Sequence, residues 1–158
     1  WSGQLGRNGG RGTMKHRHRG TILLVEDEMI IALAEKAALE THGYKVIVAS
    51  TGERALRLFC AASSVDLVVL DITLGRGIDG VETARYLRQT SELPILFLSS
   101  LPLEEIERLT VDIPASRLSK PCSTARLIET VEAILLPPEL DRNSIGEASR
   151  TGGLLGHS

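Results

Sequence analysis

Aromatic residues are scarce, with Phe, Trp and Tyr making up 3% of the chain. A surface that stacks the bases of single-stranded nucleic acid needs several of them, so that class of binding is disfavoured. A surplus of either charge is lacking too. Lys and Arg number 18 and Asp and Glu 20, for a net charge of −2. No global field therefore draws the chain to nucleic acid or a membrane. No apolar run approaches the roughly 20 residues that span a bilayer, and no secretory signal pattern is present. Cysteine is rare. Cys60 and Cys122 lack ligand-like spacing and read as reduced thiols in a cytoplasmic protein. A Gly-rich phosphate loop is missing as well. Where one would follow the first strand, Glu26-Asp27-Glu28 would repel phosphate instead.

What is present suits one domain of 158 residues, 42% hydrophobic and 24% charged. Residues 1–20 hold Arg7, Arg11, Lys15, Arg17 and Arg19, several glycines and no acid, and so predict a disordered basic arm. His16 and His18 in this arm read as unstructured rather than as metal ligands. Residues 137–158 open on Pro137-Pro138 and predict a frayed tail with no output domain. The segment between them, 21–136, alternates strand and helix patterns five times. Strands are predicted at 21–25, 45–49, 66–70, 94–98 and 117–119. The first helix, 29–42, is expected to bury Ile30, Leu33, Ala34, Ala37 and Ala38, with Gly43 at its C-terminal end. Ser50-Thr51-Gly52-Glu53 reads as a capping box for a helix burying Ala55, Leu56, Phe59 and Cys60, and Asp79 to Glu82 as a second box. A short helix at 102–110 is expected to turn Leu103, Ile106 and Leu109 inward. Ser123 caps a last helix with Leu127, Ile128, Val131, Ile134 and Leu135 inward.

Such alternation predicts a doubly wound α/β fold, a parallel sheet with helices on both faces. All strand C-termini then share one edge, and the polar residues gather there: Glu26 and Asp27, Asp71, Ser99, and Lys120. With the common order 2-1-3-4-5, strands one and three are neighbours at the topological switch point, placing Asp27 against Asp71. Two carboxylates about 4 Å apart repel by roughly 4 kcal/mol at an effective dielectric near 20. Three acids this close call for a cation, or one must stay protonated, and Mg²⁺ suits a hard oxygen site that leaves room for phosphate. Lys120 adds positive charge, and an Asp nucleophile forming an aspartyl phosphate fits the set.

The runs Leu23-Leu24-Val25-Glu26-Asp27-Glu28, Leu70-Asp71, Leu98-Ser99-Ser100 and Lys120-Pro121, in that order and each at a strand end, resemble the receiver domain of bacterial two-component response regulators. The resemblance covers residues 21–136. It implies a flavodoxin-like fold and a phosphoryl group passed from a histidine kinase or phosphotransfer protein to Asp71. It further implies Mg²⁺ held by Asp27, Asp71 and the Thr73 carbonyl, with Glu26 acting through water. Ser99 becomes the switch hydroxyl and Lys120 the phosphate contact, and output runs through the face of helix four, strand five and helix five. The implied protein is a stand-alone cytoplasmic phospho-acceptor rather than a multiple-turnover enzyme. It would act by protein–protein contact or as a phosphate sink, with a homodimer left open. Three positions depart from the pattern. Leu74-Gly75-Arg76-Gly77-Ile78 lengthens the loop after Asp71. Arg117 stands where an aromatic switch residue is usual, and Cys122 where a bulky apolar residue is common. Two other functions compete. One is a receiver-like binding module indifferent to phosphate. The other is an Asp-nucleophile phosphatase of the haloacid-dehalogenase type, disfavoured because Thr73 stands where that family needs a second Asp.

Overall fold

The computed structural model describes residues 18–136. The predicted frayed tail and nearly all of the basic arm lie outside the described residues. Five strands, β1 (Thr21–Val25), β2 (Lys45–Ala49), β3 (Leu67–Leu70), β4 (Ile95–Ser99) and β5 (Ser116–Ser119), alternate with five helices. The helices are α1 (Met29–Thr41), α2 (Gly52–Ala61), α3 (Gly80–Thr90), α4 (Leu103–Leu109) and α5 (Thr124–Leu135). The strands form one parallel sheet in the order β2-β1-β3-β4-β5, as the sequence predicts. The fold is the flavodoxin-like doubly wound type, and β1 beside β3 is its switch point.

The two-residue period of each central strand divides the core. Leu23, Val25, Val68, Leu70 and Phe97 point to one face, against Ala55 of α2, Ala84 and Leu87 of α3 and Ile106 of α4. Ile22, Leu24, Leu67, Val69, Leu96 and Leu98 point to the other, against Leu39 of α1 and Leu127, Ile128 and Val131 of α5. Burying a side chain of this size stabilises by about 1.5–3 kcal/mol. Because both faces are covered, β1, β3 and β4 carry unbroken apolar runs.

The helix starts follow local chemistry. Thr51, Asp79 and Ser123 each accept a hydrogen bond from the backbone N–H three residues on, at 3.1, 2.8 and 3.1 Å. Each such cap contributes about 1 kcal/mol. Gly43, at φ +90°, ends α1 in the left-handed region that a side chain rarely adopts.

Several sequence expectations are corrected. Ile30 and Leu33 are 84% and 57% exposed, and Ala34 and Ala37 are exposed with them. The buried residues of α1 are Ala32 and Leu39 instead. The apolar spacing on α1 is real, but much of that stripe is left uncovered. Cys60 and Leu103 are exposed rather than inward. Thr51 caps α2, and Glu53 turns away to accept the N–H of Ile78 at 3.0 Å, so the expected box does not close. Arg19, expected in the basic arm, is held in place. It pairs with Glu132 at 2.8 Å, donates to the His42 carbonyl and lies over the Tyr44 ring.

Candidate functional site

The C-terminal ends of β1 and β3 place three acids together. Pairing of Val25 with Leu70 sets the residues after them, Glu26 and Asp71, side by side, and the Asp71 N–H donates to the Val25 carbonyl at 3.1 Å. Glu26, Asp27 and Asp71 each offer an oxygen within 4.8 Å of the others. Glu26 and Asp71 are buried, while Asp27 is exposed. The spacing expected of Asp27 and Asp71 is therefore met, and Glu26 joins them directly.

Lys120 reaches this corner from the loop after β5. Its Nζ hydrogen-bonds to Glu26 Oε2 and lies 3.3 Å from Asp71 Oδ2. Burial works against the Lys120 ammonium, but Glu26 and Asp71 outweigh it and hold its pKa above the ordinary lysine value. Burial pushes the Glu26 carboxyl up, while Lys120 and the Glu28 N–H pull the other way. Three carboxylates facing one ammonium leave a surplus of two negative charges.

The remaining predicted residues ring this centre. The Thr73 N–H donates to Asp71 Oδ1 at 2.9 Å and fixes that carboxylate. Ser99, fully buried at the end of β4, does not bond to Asp71. Its Oγ accepts the Leu101 N–H at 3.3 Å, and its carbonyl accepts the Lys120 N–H at 2.8 Å. Asp27 does not cap α1. Its Oδ2 accepts the Gly75 N–H at 2.9 Å and holds the loop that follows β3.

Two groups that sequence reasoning passed over belong to this neighbourhood, and a third, which the sequence marks only as a departure, is held away from it. A Cβ on Gly80 would lie 2.0 Å from the Asp71 carbonyl oxygen, so α3 can start against β3 only with glycine there. Glu35 of α1 lines a cleft of about 490 Å³ together with Ile31, Ser100, Lys120, Pro121 and Cys122. Its Oε2 is buried without a partner, and burial raises its pKa to about 7. Glu35 sits three residues after Ala32 and four before Leu39, a spacing that marks an inward residue once those two are known to be buried. Arg117 is the third. It donates to Thr110 Oγ1 at 2.7 Å and to the Thr110, Ala115 and Ile113 carbonyls at 2.9, 3.0 and 3.4 Å. No carboxylate pairs with it among the described residues.

The donor set fits Mg²⁺, with hard carboxylate oxygens clustered in charge excess and one of them open to solvent. A doubly wound sheet with its acids and lysine collected at the switch point defines a class of α/β domains that bind ligands at that edge. Within that class, the family model of the response regulator receiver domain matches residues 22–132, and the chain belongs to that family. It is 36% identical over 115 residues to the transcriptional regulatory protein CpxR of Escherichia coli, covering 72% of this chain and 48% of CpxR. It is 37% identical over 121 residues to the alkaline phosphatase synthesis transcriptional regulatory protein PhoP of Bacillus subtilis, covering 75% and 50%. The chain thus spans about half the length of these relatives. Among solved structures it is similar to a response regulator receiver protein from Sinorhizobium medicae, with 31% identity and a TM-score of 0.68. That match covers 76% of this chain and 97% of the other. The N-terminal receiver domain of Klebsiella pneumoniae RstA matches with 31% identity and a TM-score of 0.68, covering 73% and 98%. No helix among the described residues is long and apolar enough to cross a membrane.

Proposed function

We propose that this domain is a cytoplasmic phospho-acceptor that takes a phosphoryl group onto Asp71 from a phosphohistidine of a histidine kinase or phosphotransfer protein. The observation that carries this reading is the juxtaposition of Glu26, Asp27 and Asp71 with Lys120 bonded between Glu26 and Asp71. In the transfer, the phosphorus–nitrogen bond of the donor breaks and a bond from an Asp71 carboxylate oxygen to phosphorus forms. The imidazole leaves with the electron pair and is protonated by solvent. Asp27, Asp71 and the Thr73 carbonyl would hold Mg²⁺, with Glu26 acting through water. The bound cation offsets charge on the transferring group. The Thr73 N–H already orients the Asp71 carboxylate, so little reorganisation is needed at the nucleophile. Lys120 exchanges its carboxylate partners for a phosphoryl oxygen, and Ser99 gives up the Leu101 N–H to donate to another.

Met29, Ile30 and Leu33 support a helical protein donor. They are 66%, 84% and 57% exposed on α1, the helix that begins beside the acid corner. A contiguous exposed apolar face of this kind marks a protein contact. The signal then leaves by protein–protein contact across α4, β5 and α5. The chain holds one phosphoryl group and does not turn over phosphate esters.

The test is intact mass after incubation with Mg²⁺ and a small acyl phosphate. One phosphoryl adduct is expected on the protein and none on Asp71→Ala. An adduct that survives the substitution rules Asp71 out as the acceptor.

Arg117 favours a second reading, a receiver-like module whose binding ignores phosphate, because it fixes the end of α4 to β5. That reading gains if Asp71→Ala binds a partner as tightly as the phosphorylated protein does.

A further inference from the structure

The loop after Asp71 is pinned on both sides of Arg76. Before it, the Gly75 N–H is held by Asp27. After it, the Ile78 N–H is held by Glu53. Gly77, at φ +74°, makes the turn between Arg76 and the second pin. Arg76 is thereby presented at the tip of a short, tethered loop. With Asp27, Ser50, Thr51 and Gly75 it lines an open cleft of about 360 Å³ on the flank of the acid corner. The side chain is exposed, and no ion pair engages it among the described residues. An unpaired guanidinium beside a surplus of carboxylates must be weighed against what has to come close to them, which is an anion.

We propose that Arg76 is a specificity-determining residue for the phosphodonor, favouring small donors that carry two negative charges over those that carry one. The proposal rests on Asp71 being the phosphoryl acceptor. Its physical basis is the field that Arg76 adds at the mouth of the site. The carboxylate surplus repels an approaching phosphate until Mg²⁺ binds, and a cation carried on the tethered loop attracts the donor whether or not Mg²⁺ is present. The energy scales with donor charge. A solvent-facing unit charge of this kind shifts the local concentration of a monoanion about threefold and of a dianion about tenfold. The same charge opposes Mg²⁺, so Arg76 raises the encounter rate of the donor while weakening the cation that the site also needs. Ser50, in the same cleft, gives a hydroxyl donor for a phosphate oxygen on this path.

The test compares the full chain with its Arg76→Gln and Arg76→Lys variants. Phosphorylation is followed by intact mass with acetyl phosphate, a dianion at neutral pH, and with phosphoramidate, which carries one net negative charge. Mg²⁺ affinity is measured separately by calorimetry with no donor present. Arg76→Gln is expected to slow acetyl phosphate about tenfold and phosphoramidate about threefold, and to tighten Mg²⁺ severalfold. Arg76→Lys should keep the original rates, and added salt should shrink the difference between the donors. Equal slowing of both donors, unchanged rates, or weaker Mg²⁺ binding in Arg76→Gln overturns the proposal and leaves Asp71 as acceptor. A wild-type protein that takes a phosphoryl group from neither donor overturns both.

Discussion

Two corners of the molecule handle buried charge in opposite ways. At the ends of β1 and β3, three carboxylates share one ammonium, and Glu35 adds a fourth with an oxygen that nothing satisfies. At the end of α4, one guanidinium is spread over four oxygens, all neutral. Arg117 has donors to match the geometry of its acceptors and no net charge to balance beyond its own. The acid corner has more charge than it can neutralise internally. A polar group that only holds the fold in place is satisfied within the fold. A surplus is tolerated where something from outside is expected to complete the set.

The largest effect expected from this contrast is at the satisfied corner. Arg117→Met should cost about 3 kcal/mol, because it strands the Ala115 and Ile113 carbonyls and takes the donor from Thr110 Oγ1. Melting would fall by roughly 10 °C. Chemical denaturation measures the loss, and Mg²⁺ affinity should not change. A loss under about 0.5 kcal/mol would show that the clamp holds nothing. The next effect is at the surplus corner. Mg²⁺ at a hundredfold over its dissociation constant should stabilise the protein by about 2.7 kcal/mol, and Asp27→Asn should remove most of that gain. Removing charge without adding a cation has a smaller effect of the same sign. Asp71→Asn, which keeps an oxygen for the Thr73 N–H, should raise stability without Mg²⁺ by about 1 kcal/mol and abolish the phosphoryl adduct.

The smallest effect concerns Glu35 and its pKa of about 7, raised by burial from an ordinary 4.5. Between these values the folded protein binds a proton that the unfolded chain has released. Stability therefore falls as pH rises from 4.5 through 7. Glu35→Gln should flatten that slope. The variant should match the parent at pH 4 and exceed it at pH 8 by about 1 kcal/mol, after discount for the solvent that reaches the group. Denaturation midpoints across that range decide it, and an unchanged slope places the titrating group elsewhere.

The strands and the residues at their ends were legible from simple periodicities, and the strand order from the commonest arrangement of five alternating strands and helices. Continuous apolar runs bounded by turn residues, such as Leu67 to Leu70, suit a strand covered on both faces. The acids after β1 and β3 could then meet only at one edge. The face of α1 was less legible. Spacing identifies an apolar stripe on Ile30, Leu33, Ala34, Ala37 and Ala38, but nothing in spacing says whether the domain itself covers it. Ala32 and Leu39 are the α1 residues that the fold buries. Glu35 and the acceptors of Arg117 were unreadable for a related reason. The groups that bury Glu35 lie on other elements, and the acceptors of Arg117 are mostly backbone carbonyls that every residue carries alike.

Arg19 and Gly20 have a consequence for how the domain is tethered. A Cβ on Gly20 would lie 3.6 Å from Leu135, the last residue of α5, and Arg19 reaches Glu132 on the same helix. The first strand and the last helix therefore part company at a single spot, at the N-terminal edge of the sheet. Asp71 lies at the opposite edge. The described core is close to a closed ring of chain fastened at one point, like a lamp hung by both cords from one hook. Both ends of the described core lie at the edge opposite the acids, and their closeness makes this domain a natural one to re-cut by circular permutation.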